Sequence, residues 1–261
     1  MVAFTSMQKD HIVSAVQAMY TEVANLPEKE FHFPTGRRAC EFVGYPKAQL
    51  DSIPATAMES FAGVGYPFAA EVITQGDAVL DIGSGSGTDV LIASQLAGPE
   101  GKIFALDMTE AMRNKLESNA KVQGASNIEI VAGDAEGIPL PDASVTVVTS
   151  NGVLNLVPDK ATAFSEIFRV LKPGGKVQIA DIVVNQDISE ECRSNPALWA
   201  ECIVGAMEEQ DYLQLFRDIG FQDVKAIGHL DYFSGSSSEE TRKVAASFGA
   251  GTVVMSAVKP G

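Results

Sequence analysis

Three glycines at alternate positions, Gly83, Gly85 and Gly87, follow directly on the apolar run Val79-Leu80-Asp81-Ile82. Glycines so spaced let the backbone approach a ligand closely and adopt positive φ where a side chain would clash. A dinucleotide fingerprint needs G-x-G-x-x-G. Thr88 or Val90 stands where the third glycine would fall, depending on the starting pair, so the motif is D-x-G-x-G-x-G, led by Asp81. An acidic residue in the turn repels a pyrophosphate but suits a cationic amino group. The methionine portion of S-adenosylmethionine carries one. The motif therefore predicts binding of S-adenosylmethionine rather than NAD, with Asp81, Gly83, Ser84, Gly85 and Gly87 at the cofactor.

Asp107 stands twenty residues beyond Gly87 at the end of the next apolar run, where a carboxylate can accept from both ribose hydroxyls. Met108 is placed to lie against an adenine face. In Gly133-Asp134-Ala135, Asp134 can accept an adenine amino proton while the Ala135 N–H donates to the ring. Either aspartate alone reads equally well as a solvated strand-end carboxylate; together they describe an adenosine pocket.

These residues need a sheet to align them. From about residue 77, short β-branched runs alternate with helix-length segments, the pattern of a parallel sheet covered by helices. Strands are predicted at 78–82, 102–106, 128–131, 145–149, 176–184, 223–228 and 252–259. Helices are predicted at 88–96, 109–123, 160–171 and 210–219. The fold class is thus α/β, a doubly wound seven-stranded Rossmann-like sheet whose last two strands form a hairpin-like end. Residues 234–238, Ser-Gly-Ser-Ser-Ser, read as a polar loop.

Residues 1–76 stand outside this alternation and form an N-terminal helical cap or lid ahead of a ligand-binding domain at 77–261. A helix is predicted at 7–25, with Ile12, Val13, Val16, Met19, Tyr20 and Val23 on one face. Beyond it, five prolines from Pro27 to Pro67 punctuate an aromatic-rich stretch. A mobile lid and a permanent structural cap both fit that composition.

The chain has 261 residues, 46% hydrophobic and 20% charged, a globular composition. Its net charge of −15 disfavours a nucleic-acid partner and points to a small molecule. No apolar run reaches the roughly 18 residues of a membrane helix, and no secretory signal is visible at the start. Three cysteines, Cys40, Cys192 and Cys202, build no disulfide framework. The expectation is a cytoplasmic monomer or homodimer without a bound metal.

The segment 81–87, Asp107, the turn 133–135 and Leu171-Lys172-Pro173-Gly174-Gly175 resemble the motifs of Rossmann-like S-adenosylmethionine-dependent methyltransferases. Segments 63–67, 107–109, 150–160 and 198–206 are similar to arsenite methyltransferases in particular. The resemblance implies that Asn151 contacts the methionine end of the cofactor and that Tyr20 approaches the sulfonium. It implies S-adenosylhomocysteine as product. The family holds trivalent arsenic through three thiolates, soft ligands for a soft centre. Its thiol positions fall here on Val64, Gly152 and Cys202, so two of the three sulfurs are missing. Arsenite is thus not the expected substrate, and Cys202 reads either as a substrate contact or as a small buried residue beside Trp199.

Transfer to an oxygen or carbon acceptor usually needs a base. His11, His32, Glu201 and Asp181 are candidates, with His32 preferred for its place in the cap and Tyr20 and Glu201 beside it. Tyr45 and Glu59 are expected to line the acceptor space. The alternatives are an inactive cofactor-binding protein and a carbon or oxygen methyltransferase of a quinone-like metabolite.

Overall fold

The computed structural model describes residues 5–186 and 203–261. Helix α1 (Ser6–Asn25) begins with a reciprocal cap: the Thr5 hydroxyl accepts the Gln8 N–H at 3.3 Å, and Gln8 Oε1 accepts the Thr5 N–H at 2.9 Å. Short helices α2 (Gly36–Phe42), α3 (Lys47–Leu50) and α4 (Ala55–Met58) follow, the last two entered through Pro46 and Pro54. Proline supplies the fixed φ of a helix start and lacks an N–H that would otherwise go unpaired.

The alternating part runs β1 (Ala78–Ile82), α5 (Thr88–Ala97), β2 (Lys102–Asp107), α6 (Glu110–Gln123), β3 (Ile128–Ala132), β4 (Val145–Asn151), α7 (Lys160–Val170) and β5 (Leu171–Val184). It continues through β6 (Met207–Glu208), α8 (Glu209–Ile219), β7 (Gln222–Leu230), α9 (Glu239–Phe248) and β8 (Gly251–Val258). The sheet order is β3-β2-β1-β4-β5-β8-β7, with the two-residue β6 pairing β5 off this path. Strands β1 to β5 are parallel, and β8 lies antiparallel between β5 and β7. The α/β doubly wound fold expected from the sequence is the observed one. The chain leaves β1 toward one edge and returns to β4 on the other side, so a crevice opens at the carboxyl ends of β1 and β4, the usual ligand position in such sheets.

The final two strands pair antiparallel, as expected, with α9, which the sequence reading omitted, between them. One expectation at the C-terminal end needs correction. The polar stretch expected as a loop contains a 3-10 turn, Tyr232–Gly235, and the Ser238 hydroxyl accepts the Thr241 N–H at 3.1 Å to cap α9. Ala245 is the sole buried residue of α9.

Successive strand residues face opposite sides, so Val79 and Val147 enter one core layer while Leu80 and Val148 enter the other. The second layer is closed by α7 and α8 through Phe164, Tyr212 and Phe216. The first is shared with the N-terminal segment: Ile12, Val16, Leu50, Met58 and Phe61 form one continuous cluster with Val90, Leu91 and Leu116. Apolar residues at 12 and 16, one helical turn apart, thus seat α1 against the body of the fold.

Candidate functional site

The glycine-rich turn is built from backbone bonds that its glycines permit. The Gly83 and Ser84 N–H groups both donate to Leu106 O, at 2.8 and 3.0 Å, drawing the end of β1 onto β2. Gly83 has φ +72°, and a Cβ there would lie 2.2 Å from Val153 Cγ2. Gly87 has φ +102°, and its Cβ would lie 2.3 Å from Leu116 Cδ1. Both positions therefore require glycine. The Ser86 and Thr88 hydroxyls donate to Ala57 O at 2.7 and 2.9 Å, tying the turn to α4.

Around this turn lies a cavity of about 370 Å³, within the range of ligand pockets, about 300–1,000 Å³. Nine of the ten residues assigned to the cofactor from the sequence line it: Asp81, Gly83, Ser84, Gly85, Asp107, Met108, Asp134, Ala135 and Asn151; Gly87 does not, and closes the turn behind them. Asp107 is buried, and its carboxylate accepts from Gly85 N at 2.8 Å and Thr109 N at 2.7 Å. Burial raises its pKa, opposed by those two backbone bonds. Asp134 is exposed at the rim, and its Oδ1 accepts the Glu136 N–H at 2.9 Å.

The opposite end is anchored by Asn151 at the close of β4. Its Oδ1 accepts from Val64 N at 2.8 Å and Gly65 N at 3.2 Å. Its Nδ2 donates to the Tyr45 hydroxyl at 2.9 Å, Gly65 O at 3.0 Å and Asp89 Oδ2 at 3.1 Å. The Tyr45 hydroxyl donates in turn to Asp89 Oδ1. Burial raises Asp89 to a pKa of about 6, with the Tyr45 and Asn151 bonds pulling the other way. Asp81 lies well above its ordinary value through burial and the nearby Asp89 charge.

Helix α1 crosses the mouth. Lys9, Asp10, Val13, Val16 and Tyr20 line the cavity. Lys9 Nζ lies 2.9 Å from Asp159 Oδ2 and 3.6 Å from Glu136 Oε2, and Gln17 Nε2 donates to Met108 O at 3.3 Å. The hydrogen bond to Asp159 raises the Lys9 pKa and lowers that of Asp159. At the other end of the helix, Lys115 Nζ donates to Ala24 O at 3.2 Å.

Several candidates lie elsewhere. His32 does not line the cavity; its ring meets Phe33 edge-on, centroids 4.7 Å apart, and Ser236 Oγ donates to its carbonyl at 2.8 Å. Tyr45 is buried behind Asn151 and serves the hydrogen-bond network rather than the cavity wall. Glu59 faces outward and pairs with Lys115 at 3.5 Å. His11 is exposed on α1. Asp181 is fully buried beneath the 3-10 turn Leu154–Leu156, accepting from the Tyr212 hydroxyl at 2.6 Å and Asn155 N at 2.8 Å. Burial brings its pKa to about 6. Glu201 and Cys202 lie outside the described residues, as does Trp199.

Sequence reasoning missed Asp89 and Lys9. Asp89 is the acidic residue of an otherwise apolar helix run, Val90-Leu91-Ile92-Ala93, and that contrast was the available signal. Lys9 carried none, being one lysine among the polar residues of the first turns of α1.

The methyltransferase-domain family profile matches residues 73–220. An arsenite methyltransferase from Halobacterium salinarum is 35% identical over 185 residues, which is 71% of this chain and 47% of that protein. The chain thus spans about half the length of that relative. A demethylmenaquinone methyltransferase from a Geobacillus species is 28% identical over 173 residues, 59% of this chain and 74% of that protein. The crystal structure of an arsenic(III) S-adenosylmethionine methyltransferase from Chlamydomonas reinhardtii superposes with a TM-score of 0.65 at 31% identity, covering 82% of this chain and 73% of that one.

Proposed function

Since this chain belongs to the methyltransferase-domain family, we propose that it transfers the methyl group of S-adenosylmethionine to a small-molecule acceptor, leaving S-adenosylhomocysteine. The observation that carries this reading is the placement of Asp81, Asp107, Asp134 and Asn151 around one cavity at the carboxyl ends of β1 to β4. The residues present suit the cofactor. A Cβ at Gly85 would meet nothing nearer than 4.0 Å, so the turn leaves room for a ligand against its backbone. Asp107 keeps lone pairs free for ribose hydroxyls beyond its two backbone bonds. Asp134 lies beyond it, at the adenine end.

S-adenosylmethionine supplies an activated methyl group on a cationic sulfur, which serves as its own leaving group. The protein's part is to align the acceptor and exclude water; orientation of this kind contributes up to about 7–11 kcal/mol. Helix α1 does the covering, and Tyr20 presents its ring to the cavity from that helix. Asn151 fixes the Val64–Gly65 backbone at the acceptor side.

The acceptor is not arsenite on this reading. The positions at which arsenite methyltransferases carry two of their thiols are Val64 and Gly152. They meet in space, a Cβ at Gly152 falling 3.1 Å from Val64 Cγ1. Where two sulfurs would converge, the buried Val64 side chain packs behind Gly152, which lines the cavity, and neither residue offers a soft ligand. The demethylmenaquinone methyltransferase similarity favours a second, narrower reading, an apolar carbon or oxygen acceptor of quinone-like character. A third reading, an inactive cofactor-binding protein, is separated from both by activity. S-adenosylhomocysteine release is followed with and without a small-molecule extract: stimulation by the extract supports transfer, and none at any concentration supports the inactive protein.

A further inference from the structure

Asp81 and Asp89 are both buried, 2% and 7% exposed, and both face the cavity. Their hydrogen-bond partners are neutral: Ser84 for Asp81, and Tyr45 and Asn151 for Asp89. Among the described residues no lysine, arginine or histidine forms an ion pair with either. Among the described residues lining the cavity Lys9 is the one basic residue, and its Nζ is engaged by Asp159 and Glu136 at the mouth. A buried carboxylate held by neutral donors remains uncompensated, and its interaction with a cation in such surroundings is far stronger than in water.

We propose that Asp89 makes the site a charge discriminator that binds S-adenosylmethionine more tightly than S-adenosylhomocysteine. This rests on the cofactor reading above. The two ligands share the adenosine, the amino group and the carboxylate, and differ by the methyl group and the positive charge on sulfur. Asp107 and Asp134 address the shared adenosine and cannot tell them apart. Asp89 is bonded to Asn151, which the family resemblance assigns to the methionine end, where the charge differs. Loss of the sulfonium on methyl transfer leaves Asp89 facing a neutral thioether. Product is thereby released rather than retained, and fresh cofactor replaces it.

The test compares Kd values of both ligands, measured by calorimetry on the intact chain, for wild type, Asp89→Asn and Tyr45→Phe. The expected result is that Asp89→Asn weakens S-adenosylmethionine about ten-fold more than S-adenosylhomocysteine, equivalent to about 1.4 kcal/mol. Tyr45→Phe removes a bond that holds the Asp89 pKa down, so it is expected to reduce the preference for S-adenosylmethionine in the same direction, by less than Asp89→Asn. Equal weakening of both ligands in Asp89→Asn would make Asp89 a structural residue and overturn the proposal. Failure of wild type to bind either ligand overturns the cofactor reading itself.

Should Asp89→Asn lose both ligands by misfolding, the wild-type affinity ratio between pH 5 and 7 decides. Asp89 is faced by Tyr45, Tyr66 and Cys40 from the N-terminal segment and by Asp81 from β1, with Asp107 beyond. The tyrosines and the cysteine stay neutral over this range, their pKa values being raised further by burial. The preference for S-adenosylmethionine is expected to fall as pH drops through about 6 and the carboxylate pair gains a proton. A ratio independent of pH contradicts the proposal.

Discussion

The Asp107 carboxylate accepts the Gly85 N–H at 2.8 Å, so the residue assigned to the ribose also holds the glycine-rich turn in shape. Asp107→Ala removes both functions. S-adenosylmethionine affinity should drop by about ten- to a hundred-fold, the equivalent of losing charged hydrogen bonds worth about 1.5–3 kcal/mol. Calorimetric titration checks this, and NAD should give no binding heat with either protein. Unchanged affinity in the variant would remove Asp107 from the ribose.

Arsenite should not be methylated over many turnovers. Val64 and Gly152 put methyl groups and open backbone where a soft metalloid needs sulfur. The assay is methylated arsenic formed by purified protein with a thiol reductant. Sustained product would show that thiols from elsewhere complete the site.

The Lys9 clasp should govern how α1 covers the cavity. An ion pair this exposed contributes about 0.2–1 kcal/mol and weakens with salt. Lys9→Met should therefore raise hydrogen exchange over the first turns of α1 without unfolding the body. S-adenosylhomocysteine should protect the same turns in wild type. A cap that is permanent would show no change on binding, and the lid reading would fail.

The buried Asp181 makes stability depend on pH in a direction opposite to that of ordinary paired carboxylates. Its folded pKa of about 6 exceeds the unfolded value near 4, so the native state binds the extra proton. That contribution is fully present below about pH 4 and is lost as pH rises through about 6, at no more than about 1.4 kcal/mol per pH unit. Asp181→Asn should make this downward slope shallower in a denaturant-unfolding series across pH 4 to 7, leaving the share of the other buried carboxylates, Asp81, Asp89 and Asp107. An identical slope in the variant would mean that Asp181 ionises normally.

The parts of this fold that could be read in sequence are those where local chemistry and tertiary role coincide. Gly83 and Gly87 are glycines because a side chain would strike Val153 and Leu116, and that constraint leaves its spacing in the chain. Asp107 follows a buried strand, so its position was legible as well. Helix α9 was missed although its sequence carries an apolar face, because it is short and follows the serine-rich stretch that reads as a loop. His32 drew attention by chemical type alone, and its flanking Phe31 and Phe33 were the better guide to its packed environment. The cavity-lining face of α1 was visible as a hydrophobic face, but what it covered depended on contacts with Met108 and Asp159, about 90 and 150 residues away. Such long-range pairings leave no periodic trace.

A crystal structure of the chain with S-adenosylhomocysteine bound tests the central claim most directly. The account predicts both ribose hydroxyls within hydrogen-bond distance of Asp107, the adenine amino group at Asp134, and the homocysteine sulfur near Asn151 and Gly152 beneath α1. A ligand lying outside this cavity, or one whose ribose makes no contact with Asp107, would contradict it.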